Sequence, residues 1–78
     1  MKRNDALAKT FSVRLRGLML LRGMGTNQLA EKTGITPKTI SVWRGAKNTP
    51  HRSSIKLVAD ALEVAPEFLT GEQDYCTL

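Results

Sequence analysis

The sequence predicts an all-α domain made of five short helices. Apolar residues recur at helical spacing in separate stretches of the chain, and glycine or proline stands between those stretches. With 78 residues the chain is long enough for one domain with a thin core, but too short for two. We assign residues 1–71 to this domain and residues 72–78 to a C-terminal tail without periodicity.

The first helix is predicted over residues 6–22 and should end at Gly23. Its core-facing stripe repeats at intervals of four, four and three residues: Leu7, Phe11, Leu15 and Leu18. Three arginines of this helix are expected to be available to solvent or phosphate: Arg14, Arg16 and Arg22. The stripe leaves a second, partly apolar strip unexplained: Val13, Gly17, Leu20 and Met24. Extra burial in a small bundle is the favoured explanation for this strip, and a partner surface is the alternative.

Residues 26–44 are predicted to form two short helices joined by a tight turn. The first of them covers about residues 26–33. Gly34 is expected to end it, because glycine tolerates the left-handed conformation of a helix C-terminus. Ile35 can then fold back onto the ending helix as an apolar plug.

The next helix is predicted over residues 37–44. Thr36 offers a hydroxyl at the N-cap, and Pro37 suits the first helical position, where no N–H is needed. Ile40 and Trp43 are three residues apart and are expected to face the core, so that base stacking by Trp43 is the weaker alternative. The outward positions are Lys38, Ser41, Val42 and Gly45, with Thr39 at the margin. A short exposed helix with a basic residue in its first turn suits the major groove of DNA.

Two more helices are predicted in the remaining part of the chain. Thr49 and Pro50 form a second pairing of a cap residue with a proline, so a fourth helix is expected near residues 51–63. Its buried stripe should consist of Ile55, Val58, Ala59 and Leu62. A last short helix is expected to begin at Pro66 and to end at Gly71. Two of its residues are expected to point inward: Phe68 and Leu69.

Charge is distributed unevenly along the chain. Residues 1–52 contain eleven Lys and Arg and two acidic residues, net +9, whereas residues 53–78 contain one lysine and five acidic residues, net −4. The split is typical of a nucleic-acid-binding face with a solvated back. The single cysteine permits no internal disulfide, and the chain has neither an apolar run of about 18 residues nor a signal-like leader. A cytoplasmic location is therefore expected.

Four segments are informative when they are taken together: FSVRLRGL, QLAEKTGITPKTISVW, IKLVADALEV and PEFLTG. With Pro50 seven residues after Trp43, these segments resemble the DNA-binding domain of the phage repressor and Cro helix-turn-helix family. The resemblance covers about residues 6–71. It implies a compact five-helix fold whose second and third helices form the helix-turn-helix, with the third helix bound in the major groove of duplex DNA.

The resemblance also implies roles for individual residues. Thr26 corresponds to a polar residue that holds a phosphate and braces the recognition helix, and Lys38 and Val42 fall at positions that contact base edges. Lys47 and Asn48 lie in the following loop, which contacts the DNA backbone and sometimes the bases. The whole set expected at the DNA is Thr26, Gln28, Thr36, Lys38, Thr39, Ser41, Val42, Arg44, Lys47 and Asn48. The ordinary alternatives are that Lys38 is only solvated and that Val42 is incidentally exposed.

Three positions depart from the family pattern. Pro37 stands where the family often has glutamine, and proline has no donor. Base contacts should then shift to Lys38, Thr39 and Val42. The family often pairs an arginine with a glutamate where this chain has Met19 and Arg44, which leaves no orphan charge and frees Arg44 to approach phosphate. The family glycine after the recognition helix is replaced by Ala46, with Gly45 one residue earlier.

The function predicted from these features is that of a phage or prophage repressor or Cro-like regulator, which binds a pseudo-palindromic operator as a homodimer. An antitoxin or restriction-modification controller is the alternative. A protein-interaction adaptor is less favoured because of the basic half. An enzyme is the weakest option, since one His and one Cys offer no nucleophile–base pair, and no cofactor, metal site or small-molecule substrate is expected. The dimer surface is expected within residues 66–78, where Phe68, Leu69, Tyr75 and Leu78 offer apolar area, and the rival is the strip of Val13, Leu20 and Met24.

The chain ends and two isolated residues carry weaker expectations. The N-terminal MKR is expected to be a frayed end, with contact to the DNA backbone as the alternative. His51 is expected near a helix cap, and Cys76 should be an unreactive thiol because no basic neighbour adjoins it. The tail up to Leu78 fits either a complete Cro-like protein or the start of a linker.

Overall fold

The structure is a computed structural model that describes residues 5–72. It contains five helices: α1 (Asp5–Leu21), α2 (Thr26–Thr33), α3 (Pro37–Arg44), α4 (Arg52–Leu62) and α5 (Pro66–Thr70). The prediction of an all-α, five-helix domain is confirmed, and every helix end lies within one residue of its predicted position. Within the described residues no helix is long and apolar enough to cross a membrane. The N-terminal MKR, Tyr75, Cys76 and Leu78 lie outside the described residues.

The five helices pack around one core. Helix α1 packs against α3 and α5, α2 packs against α3 and α4, and α4 closes the bundle against α5. The largest fully buried side chains are Phe11, Leu15, Leu29, Ile40, Val58, Leu62, Val64 and Leu69. Phe11 and Trp43 meet edge to face, with ring centroids 5.8 Å apart and an interplanar angle of 89°. Trp43 is therefore a core residue of α3, as expected, and its ring is not presented for base stacking.

Three helices end as predicted, at glycines with positive φ. The φ angles are 64° at Gly23, 76° at Gly34 and 88° at Gly71, a range that glycine adopts without steric cost. After α1, the N–H of Met24 donates to the carbonyl of Met19 at 2.8 Å, and the N–H of Gly23 donates to that of Leu20 at 3.1 Å. This pair of bonds satisfies two carbonyls that would otherwise lack partners at the end of α1.

The start of α4 differs from the prediction. His51, rather than Thr49, is the N-cap residue, with an extended backbone (φ −66°, ψ 153°) and no side-chain capping bond. Pro50 therefore precedes the cap instead of occupying the first helical position. Its side chain is buried, so that it fixes the path of the chain into the helix rather than the helix start itself. The buried stripe of α4 is as predicted: Ile55, Val58, Ala59 and Leu62.

The prediction that the second strip of α1 is buried is wrong. Val13 is 59% exposed and Leu20 is 84% exposed, and a Cβ added at Gly17 would meet nothing within 4 Å. The reason is geometric, since these positions lie on the side of the helix opposite the core stripe and one bundle cannot cover both sides. Met24 alone follows the expectation, because it is partly buried and packs against the core.

Candidate nucleic-acid interface

The turn between α2 and α3 is held by bonds between side chains and backbone. The Thr33 hydroxyl donates to the carbonyl of Leu29 at 2.8 Å and accepts from the N–H of Ile35 at 3.2 Å. At the start of α3, the Thr36 hydroxyl accepts from the N–H of Thr39 at 3.3 Å, which confirms the predicted N-cap. Ile35 is partly buried and packs against the core, as an apolar plug should. These local bonds fix how α3 leaves α2.

Helix α3 is divided into a buried side and an exposed side. Ile40 and Trp43 are buried, whereas Lys38 and Ser41 are exposed and Thr39 lies between. Val42 departs from the expectation that it faces outward, because it is partly buried and packs against the core. The following loop explains the difference, since it folds back over this residue and the N–H of Lys47 donates to the carbonyl of Val42 at 3.2 Å.

A side-chain hydrogen bond joins the start of α2 to the end of α3. The Arg44 guanidinium donates through Nη1 to the Thr26 hydroxyl at 2.8 Å. The prediction left Arg44 free for phosphate, but the structure gives it a protein partner. The Thr26 hydroxyl still has its own proton to donate, and the guanidinium has further N–H groups. Met19, at the position of the family's arginine, is a buried core residue.

Two further polar residues hold these elements in place. The Gln28 side-chain oxygen accepts from the N–H of Gly25 at 2.8 Å and so caps the start of α2, while its amide nitrogen takes no part in this bond. Ser12 is buried in α1, and its hydroxyl donates to the carbonyl of Arg44 at 2.6 Å. Sequence reasoning missed Ser12. Its only signal was a small hydroxyl residue beside Phe11 in the core stripe.

Two arginines of α1 are engaged with the protein itself. Arg14 donates through Nη1 to the carbonyl of Phe68 at 2.8 Å, and its guanidinium carbon lies 4.3 Å from the centre of the Phe68 ring. Arg22 donates through Nε to the carbonyl of Leu62, the last residue of α4, at 3.0 Å. The prediction that both are available to phosphate is therefore wrong, because each satisfies a carbonyl near a helix end. Arg16 is exposed, as predicted.

The loop after α3 explains the displaced family glycine. Ala46 has a φ of 57°, in the left-handed region, whereas Gly45 has a φ of −88° that any residue can adopt. The N–H of Ala46 donates to the carbonyl of Trp43 at 3.0 Å. Ala46 thus takes the conformation that suits glycine, and Gly45 does not need it. Lys47 and Asn48 follow, and both are exposed.

The structure brings some of the ten predicted DNA-facing residues together. Thr26 contacts Arg44, and the hydroxyls of Thr36 and Thr39 are 2.9 Å apart. The remaining members are placed as follows: Gln28 at the cap of α2, Lys38, Ser41 and Val42 on α3, and Lys47 and Asn48 in the loop after it. The role of each residue on DNA remains a prediction.

Two short helices joined by a glycine turn, with the second helix exposed along one side, define a helix-turn-helix domain. The family model described as Cro/C1-type HTH DNA-binding domain matches residues 14–69, and the chain belongs to that family. The predicted family is thereby confirmed, and the protein is a DNA-binding regulator of this class. Searches among curated proteins and among solved structures found no match.

Proposed function

We propose that this protein is a sequence-specific transcriptional regulator of the phage or prophage repressor or Cro type, which binds a pseudo-palindromic operator in the cytoplasm as a homodimer. The observation that supports this proposal most strongly is the division of α3. Its inward side is locked into the core by Ile40 and Trp43, and its outward side presents Lys38 and Ser41 to solvent. A rigid helix with polar groups on its open side can enter a major groove without reorganising.

Base contacts are assigned to the open side of α3. Lys38 lies in the first turn, where its ammonium group can donate to guanine O6 and N7. Ser41 and Thr39 can act as donors or acceptors at neighbouring bases. Val42 has only part of its side chain exposed, so that its contact with a thymine methyl group is limited to that part. Pro37, as the first residue of α3, supplies no donor.

Phosphate contacts are assigned to the start of α2 and to the loop after α3. The hydrogen bond between Arg44 and Thr26 places a guanidinium beside the N-terminus of α2, where backbone N–H groups and the helix dipole favour an anion. The amide nitrogen of Gln28 can donate to the same phosphate. Lys47 and Asn48 are exposed in the loop and can approach the next stretch of backbone.

Pairing of two copies follows from how little one helix can read. A single α3 has eight residues, so that one copy contacts few base pairs. Two copies related by a two-fold axis double these contacts and place the two recognition helices about 34 Å apart along the duplex.

Selection of bound duplexes from a random pool tests the proposal. We expect enrichment of a pseudo-palindrome with half-sites about 10 bp apart, centre to centre. Failure to enrich any sequence would contradict sequence-specific binding. Enrichment of asymmetric single half-sites, bound at full affinity by a monomer, would contradict the homodimer but leave DNA recognition intact.

A further inference from the structure

The outer side of α1 is an exposed apolar surface on a protein with a small core. Val13, Leu20 and Leu21 are 59%, 84% and 69% exposed. They surround Gly17, which is exposed and has open space where a Cβ would stand. We call these four residues the α1 outer face. Large apolar side chains that cluster on one face of a helix, rather than singly, mark an interaction site.

We propose that the α1 outer face is the surface through which two copies of this chain pair. The proposal rests on the homodimer proposed above and names its contact. Gly17 lies in the middle of the face, with Val13 four residues before it and Leu21 four residues after it. A two-fold axis through Gly17 therefore sets Val13 of each copy beside Leu21 of the partner subunit, with the two glycines at the crossing. The face is complementary to itself in shape, because the missing side chain lets the two helices approach closely.

The end of the chain that sequence reasoning favoured for pairing has less to offer. Leu69 is fully buried in the core of its own copy. Phe68 is partly buried, and the Arg14 guanidinium covers its ring at 4.3 Å. Within the described part of α5, both apolar side chains are thus already used inside the domain, whereas those of the α1 outer face are not.

Charge predicts how this pairing should respond to salt. Between residues 6 and 21 the helix carries only basic charges, and Lys9 and Arg16 flank the outer face. Two copies that meet there bring like charges together, so that screening by salt should strengthen pairing. Binding of an acidic partner protein would weaken with salt instead. A contact confined to one helix face is also smaller than the about 800 Å² per partner of standard interfaces, so the free dimer should be weak.

Sedimentation equilibrium of the full chain without DNA tests the proposal directly. We expect a weak monomer–dimer equilibrium whose association constant rises between about 50 mM and about 500 mM NaCl. Leu20→Ser should lower that constant about tenfold or more, because it removes one leucine side chain from each half of the interface. The matched control is Leu57→Ser, which changes another exposed leucine, 47% exposed on α4, and should leave association unchanged. A monomer at every concentration and salt, or equal losses in both variants, would overturn the proposal.

Gly17→Ala separates pairing from folding. Alanine should raise the melting temperature, because glycine inside a helix is unfavourable and the added methyl group meets nothing in the monomer. The same methyl group should hold the two helices apart and weaken association. A higher melting temperature with unchanged association would contradict a crossing at Gly17.

Cross-linking gives a second readout of the crossing. Gly17→Cys in a Cys76→Ser background should form a disulfide-linked dimer on oxidation, because the two-fold axis brings the two substituted positions within bonding distance. Leu57→Cys in the same background should not. Because none of these measurements includes DNA, failure of the α1 outer face and failure of the DNA-binding proposal are distinguishable.

Discussion

Two groups of basic residues in this chain have the same formal charge but different surroundings. Arg14 and Arg22 of α1 donate to carbonyls of α5 and α4. Lys38 and Lys47 lie exposed in the first turn of α3 and in the loop that follows it. The comparison teaches that the net charge of a segment overstates the charge available to DNA, because long arginine side chains also close the ends of neighbouring helices.

The largest effect on DNA binding should come from Lys38. Lys38→Ala should cost about 1 to 3 kcal/mol on the preferred site and flatten the preference at one base pair, because it removes a donor to base edges. Binding to non-specific duplex should barely change. Titration of preferred and scrambled duplexes measures both, with Lys56→Ala, an exposed lysine of α4, as the control. Equal losses on every sequence would reduce Lys38 to a phosphate contact and shift specificity to DNA shape.

Arg14 should affect folding rather than DNA binding. Arg14→Met removes the contact with the Phe68 ring and the bond to its carbonyl, and should lower the free energy of unfolding by about 1 to 2 kcal/mol. In a domain of this size each kcal/mol lowers the melting temperature by about 4 to 8 °C.

The neighbouring substitution Arg16→Met removes an equal charge from an exposed position and is the control for thermal unfolding. It should change the free energy of unfolding by less than about 0.5 kcal/mol. If Arg14→Met left the melting temperature unchanged but reduced the salt dependence of DNA binding, the division between the two groups of basic residues would be wrong.

Lys47 should act on DNA without regard to sequence. Lys47→Ala should weaken binding to all duplexes alike, and it should reduce the slope of log K against log salt by about one unit, because one phosphate is no longer neutralised. The measurement is a salt titration on preferred and scrambled duplexes, with Lys56→Ala again as the control. A loss of affinity confined to the preferred site would identify Lys47 as a residue that binds a base.

The smallest effect concerns the conformation of the loop that holds Lys47. Ala46→Gly should stabilise the fold by about 0.5 to 1 kcal/mol, since a φ of 57° costs alanine more than glycine loses in the unfolded state. Ala61→Gly, inside α4, should destabilise the fold by about 1 kcal/mol and shows that glycine is not stabilising in general. Thermal unfolding of both variants decides, and a destabilised Ala46→Gly would contradict strain at this position.

The helices and the turn were predictable because their signals are local. Gly34 and the pairing of Thr36 with Pro37 determine where α2 ends and α3 begins through bonds that span a few residues. The stripe of Ile40 and Trp43 likewise determines which side of α3 is buried. For this reason the positions of the candidate DNA-facing residues of α3 could be predicted, apart from the partial burial of Val42.

The contacts that sequence reasoning missed depend on elements distant in the chain. Arg14 reaches a carbonyl 54 residues away, Arg22 one 40 residues away, and Ser12 one 32 residues away. No periodicity reports such a contact, because it depends on where another helix ends in space. The exposure of Leu20 was missed for a related reason, since a pattern can show that a helix has two apolar sides without showing which side lacks a neighbour.

The salt dependence of binding to the selected duplex tests the central claim, that this domain grips DNA through the basic residues around α3. If a dimer neutralises about 6 to 10 phosphates, log K should fall with log salt at a slope near −0.9 per phosphate. Affinity should then drop by about 10³ to 10⁵ between about 50 and about 200 mM salt. A slope near zero on the best duplex would contradict DNA binding and favour a protein-interaction adaptor with the same fold.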